Sequence, residues 1–128
     1  MASKPRIIAI EEHYLDPEVV AHFTPADASK QPWADERLGD LSNLRIREMD
    51  AAGIDLQVLS HGAPSLQKLD PETAARLAPG VNDRLHAAVR RHPQRFAAFA
   101  ALPTPDPKAA ADELERCVTK LGFKGAMI

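Results

Sequence analysis

Between Arg6 and His13 the chain reads Arg-Ile-Ile-Ala-Ile-Glu-Glu-His, an apolar run that passes without a break into two carboxylates and an imidazole. Side chains of a strand alternate faces, so Ile7, Ala9, Glu11 and His13 fall on one side and Ile8, Ile10 and Glu12 on the other. A strand apolar on both sides until its last turn belongs in a parallel sheet covered above and below. Its C-terminal end then offers a carboxylate oxygen beside an imidazole nitrogen, where α/β folds place their chemistry. That pair is half of a metal site, since such sites take three or four protein ligands. Glu12, facing the other way, is expected to take a salt bridge or a helix-cap contact.

The rest of the chain alternates between strands and helices. Asp16-Pro17-Glu18 has the form of a helix start, an N-cap followed by proline in the first turn, and Pro25 stops that helix early. Thr24 to Asp40 is rich in Pro, Asp, Ser and Gln and reads as a long irregular loop of the kind that carries function. A helix follows from about Leu41 to Ala52, with Gly53 as a left-handed cap. Ile54–Ser60 alternates and reads as a second strand, with His61-Gly62-Ala63-Pro64 as the loop at its C-terminal end. Asp70-Pro71-Glu72 opens a long helix towards Arg91, with a kink or break expected at Pro79-Gly80. Phe96–Leu102 is read as a third strand, Asp106-Pro107 as the start of a helix through Leu121, and Phe123–Ile128 as a fourth strand.

Strands separated by helices of this length mean right-handed crossovers and a parallel sheet. Four such strands fit either a small open sheet or the first half of a (β/α)₈ barrel, and an end on a buried strand favours the second. The expected fold is therefore α/β, the N-terminal half of a TIM barrel with about four parallel strands and three crossover helices. Residues 1–128 are expected to form a single partial domain cut at the fourth strand.

Composition excludes several classes of function. Sixteen basic and 18 acidic residues leave a net charge of −2, which gives no electrostatic case for nucleic acid or a membrane surface. Cys117 is the only cysteine, so there is no internal disulfide, and a reducing compartment is implied. No apolar run approaches the roughly 20 residues of a membrane helix, and the N-terminus lacks a secretory signal. A cytoplasmic protein is expected. His22, His86 and His92 fall in helical or helix-end contexts suited to solvated or capping roles. Cys117 reads as a small core residue, and Arg45 and Arg47 as surface residues of a covering helix.

Ile10-Glu11-Glu12-His13, Arg47-Glu48-Met49-Asp50-Ala51-Ala52-Gly53-Ile54, Leu59-Ser60, Asn82-Asp83, Arg95-Phe96, Ala100-Ala101-Leu102-Pro103 and Leu121-Gly122-Phe123-Lys124-Gly125-Ala126 together resemble the amidohydrolase-related family. Within it they are most similar to the metal-dependent aromatic acid decarboxylases of the γ-resorcylate and carboxyvanillate kind. The resemblance covers essentially the whole chain, but only the first third to half of a family member.

It implies a barrel with a divalent metal, Mn²⁺ or Zn²⁺, at its C-terminal mouth, and Glu11 and His13 match the two ligands of the first strand. A histidine from a middle strand, an aspartate from the last, and the proton donor are expected downstream of Ile128, so no catalytic residue is assigned here. Phe23 matches an aromatic near the substrate ring, and His61 and Ala63 fall where the loop would meet a small aromatic carboxylic acid. The implied reaction is non-oxidative decarboxylation by the full-length protein, a carboxy-lyase and a homo-oligomer, with the 128-residue chain inactive alone. Two alternatives are a metal-dependent hydrolase of a lactone or amide on the same fold, and a non-catalytic, self-associating half-barrel.

Overall fold

The computed structural model describes residues 2–28 and 31–128. Met1, Ser29 and Lys30 lie outside the described residues, and with them part of the expected loop at 24–40. In chain order the elements are β1 (Ile8–Tyr14), α1 (Pro17–Val20), α2 (Pro32–Gly39), α3 (Asn43–Ala52), β2 (Leu56–His61), α4 (Pro71–Arg91), β3 (Phe96–Ala98) and α5 (Pro107–Lys120). The strands form one parallel sheet in the order β1-β2-β3, so each crossover advances one strand in the same direction, as barrel units do.

The helix starts follow local chemistry. The carboxylates of Asp16, Asp70 and Asp106 each accept a backbone N–H from the first turn, and proline follows each of them. Gly53, at φ 73°, ends α3 in the left-handed conformation that a side chain would resist.

Four expectations change. The presumed loop contains α2, whose first turn is Pro32, and Arg37 lies over the ring of exposed Trp33 at 5.6 Å. Helix α4 runs without a break through Pro79. Its apolar side (Ala74, Leu77, Ala78, Val81, Leu85 and Ala88) is buried, and that burial outweighs one lost helical hydrogen bond. The third strand is shorter than expected: its pairing with β2 ends at Leu59–Ala98, and from Ala100 the backbone bonds to the segment after α5 instead.

The fourth strand is reduced to a bridge between Ala100 and Ala126, with Lys124 N–H bonded to Ala98 O and Ala100 N–H to Gly125 O. Gly125, at φ 140°, departs from strand geometry between those bonds.

The core lies between the sheet and its helices. Tyr14, Met49, Leu59, Leu85, Phe96, Cys117 and Phe123 form the larger cluster, and Val19, Leu66, Leu77 and Val81 belong to a second one beneath α1. Cys117 is fully buried as expected, and burial pushes its thiol up to about 12. No helix among the described residues is long and apolar enough to cross a membrane.

Candidate functional site

Strand β1 does not keep simple alternation. Ala9 pairs with Gln57 and Glu12 with Leu59, so three steps on β1 match two on β2, and a bulge lies between. Ala9, Glu12 and Tyr14 are the covered positions, whereas Ile8, Ile10, Glu11 and His13 are exposed. The strand is therefore not buried on both sides as its composition suggests. Ile8 is 50% and Ile10 58% exposed, and Glu11 and His13 are exposed with them. Glu11 lies within the irregular stretch between Ala9 and Glu12, so uniform alternation does not set its direction relative to His13.

The polar groups around this end of the sheet are held by one another. Glu12 accepts a hydrogen bond from Gln57 Nε2 at 2.9 Å, and Gln57 Oε1 accepts from Arg45 Nη1 at 3.1 Å. Arg45 is buried, contrary to the expected surface role. It also donates to the carbonyls of Asp40, His13 and Arg37. Only the burial pattern of a completed fold reveals this, because arginine at that helical position reads as a solvated residue.

His61 is buried at the end of β2. Its Nε2 accepts the Asp16 N–H at 2.9 Å, which places the ring proton on Nδ1, 2.8 Å from Gly62 O. Both nitrogens are thus engaged by backbone, and burial lowers the pKa of the ring. Asp16 in turn accepts from Arg84 Nε at 2.7 Å and Nη2 at 2.9 Å.

Two groups stand apart. No partner for the Glu11 carboxylate or for His13 Nε2 occurs among the described residues. His13 Nδ1 lies 3.0 Å from Ser60 Oγ, which fixes one edge of the ring and leaves the other free. An exposed carboxylate and an exposed imidazole nitrogen, each without a partner among the described residues, fit a divalent cation in donor type. No group of three or more His, Cys, Asp or Glu placed to hold a metal occurs among the described residues, so this chain presents two ligands and no closed site.

His13, Ser60, His61, Ala63, Met127 and Ile128 line a cleft of about 190 Å³ at this end of the sheet. That is below the roughly 300–1,000 Å³ of small-molecule sites. The structure thus brings His13, His61 and Ala63 to one cleft. Phe23 lies elsewhere, in a separate cleft with Leu15, Val20 and Pro25, because α1 directs it onto the second core cluster. Sequence reasoning missed Ser60 and Met127, which are remote in the chain and meet only when β2 and the segment after α5 lie side by side.

Comparison with known proteins places this geometry in a family. The amidohydrolase family profile matches residues 18–128. The chain is 44% identical over 125 residues to the γ-resorcylate decarboxylase of Rhizobium radiobacter, a match covering 94% of this chain and 38% of that protein. A crystal structure of a dihydroxybenzoic acid decarboxylase from Polaromonas sp. JS666, with bound manganese and the inhibitor 2-nitroresorcinol, superposes with a TM-score of 0.83 at 38% identity over 98% of this chain and 38% of that one. A 5-carboxyvanillate decarboxylase from Novosphingobium aromaticivorans, complexed with manganese and 4-hydroxy-3-methoxy-5-nitrobenzoic acid, gives 0.87 at 31% identity over 96% and 41%. The chain spans about 38% of the length of the curated relatives it matches and corresponds to the N-terminal part of their barrels. On its strand order, its profile match and these superpositions, the chain belongs to the amidohydrolase family.

Proposed function

We propose that this chain carries the first-strand half of the metal site of a non-oxidative decarboxylase of hydroxylated aromatic acids, in a single barrel domain completed by later β/α units. The observation that carries the reading is the pair of exposed ligand atoms without a partner among the described residues, the Glu11 carboxylate and His13 Nε2, near the end of a strand whose other carboxylate, Glu12, is hydrogen-bonded to Gln57. Manganese in two of the similar structures supports Mn²⁺ as the ion. Likeness to enzymes acting on dihydroxybenzoate supports a small aromatic carboxylic acid as the substrate.

Glu11 and His13 would hold two positions of a divalent cation, which would supply Lewis-acid stabilisation of negative charge on a bound aromatic acid. Glu11 contributes hard, anionic oxygen, and His13 contributes a neutral nitrogen. His61, with both nitrogens engaged, serves as a rigid wall and not as a donor. Ala63, small and beside it, leaves room for a ring. The later units supply the remaining ligands and the proton donor, and the full-length enzyme is a cytoplasmic homo-oligomer.

The test is Mn²⁺ binding by the 128-residue chain, followed by titration calorimetry or by loss of the free-ion paramagnetic signal. Wild type is expected to bind weakly, Glu11→Gln and His13→Gln at least tenfold more weakly still, and none of them to release carbon dioxide from 2,6-dihydroxybenzoate. Equal Mn²⁺ binding by all three proteins would sink the ligand assignment. Metal-dependent turnover by the chain alone would sink the claim that later units are needed.

A further inference from the structure

Ser60 sits between two groups far from it in sequence. Its Oγ is 3.0 Å from His13 Nδ1 and 3.7 Å from Met127 Sδ, the second contact having the hydroxyl as donor to sulfur. The serine is 4% exposed and paired opposite His13 in the parallel ladder, so its hydroxyl does not turn out to water. A neutral imidazole carries its proton on one nitrogen, and a cation binds only the bare one.

Two proton placements satisfy the 3.0 Å contact. In one, serine donates to Nδ1, the ring proton sits on Nε2, and the Met127 sulfur has no donor. In the other, Nδ1–H donates to the serine oxygen, the serine hydroxyl donates to sulfur, and Nε2 is bare. Only the second makes both contacts. His61 does not compete for the serine, since both of its nitrogens are already taken.

We propose that Ser60, its hydroxyl turned by Met127, is the positioning residue that holds His13 in the Nδ1–H form and so presents Nε2 to the cation. Metal-binding histidines are generally oriented through their second nitrogen in this way, by a carboxylate, a carbonyl or water. Here a hydroxyl takes that part, and a thioether makes it an acceptor. The inference rests on the metal reading above.

The test uses the 128-residue chain labelled with ¹⁵N at histidine, without metal, at a pH where imidazole is neutral. Long-range ¹H–¹⁵N correlation spectra distinguish the two tautomers of His13. Wild type is expected to show a protonated Nδ1 and a bare Nε2. Ser60→Ala is expected to lose that preference, Ser60→Thr to keep it, and Met127→Leu to shift part of the population to Nε2–H. Mn²⁺ affinity is expected to fall about 10- to 100-fold in Ser60→Ala and to recover in Ser60→Thr. If wild type binds Mn²⁺ and Ser60→Ala binds it equally with an unchanged ring pattern, the proposal falls while the metal reading stands. If wild type takes up no Mn²⁺, the metal reading falls, and this role for Ser60 with it.

Discussion

Arg45 ties three carbonyls and the Gln57 amide to one guanidinium at a position 9% exposed to solvent. Arg45→Met keeps the aliphatic bulk but leaves those acceptors without donors. A loss of roughly 2–4 kcal/mol is expected, read from the urea unfolding midpoint. His61 and Asp16 make stability depend on pH in two windows. Burial lowers the pKa of His61, so the unfolded chain takes up a proton before the folded one. Stability is therefore full above about 6.5 and declines as pH falls below it. Burial also pushes the Asp16 carboxyl up, but the hydrogen bonds and charge of Arg84 outweigh it and the net shift is downward. That contribution is present above about 3.8 and lost as pH falls through the lower folded value. Unfolding midpoints at neutral pH and near pH 5.5 are expected to differ in wild type and to converge in His61→Gln.

At the scale of elements, the sheet and helices are joined by a few polar crosslinks inside the apolar packing. Asn82, fully buried on α4, accepts from the Ala101 N–H and donates Nδ2 to Ala101 O and to Glu113 Oε1, each at 2.9 Å. One amide thus connects α4, the chain after β3, and α5. Arg116 extends the link, holding Glu113 and Asp83 at 2.8 Å. Removing the amide leaves two backbone groups and a carboxylate oxygen short of partners. Asn82→Ala is expected to destabilise by about 3 kcal/mol in chemical unfolding, whereas Lys108→Ala, at an exposed pair, is expected to change little. The Asn82-Asp83 pair belonged to the family resemblance, but its work as a crosslink depends on the distance between α4 and Ala101.

For the whole molecule, the open side of β1 is the outstanding feature. Ile8 and Ile10 are half or more exposed, and β1 forms an edge of the described sheet. Unpaired strand edges with apolar side chains favour association. The 128-residue chain is expected to elute from gel filtration at increasing apparent mass as concentration rises, and Ile10→Lys to suppress this. A concentration-independent monomer would show that the edge is protected.

The sequence by itself determined the alternation of the three paired strands with helices, the three Asp-Pro helix starts and the buried thiol, and it supplied the ligand pair of the first strand as an expectation. These follow from short-range chemistry, since caps, prolines and apolar period act within a few residues of one another. Only the tertiary structure decided that a bulge interrupts the alternation of β1, that Arg45 is buried, that α4 passes unbroken through Pro79, and that Phe23 turns away from the cleft. The meeting of Ser60 with His13 and Met127 was likewise invisible, because 47 and 67 residues of chain separate those contacts. Such pairings depend on strand register and packing volume, which no local stretch of sequence encodes alone.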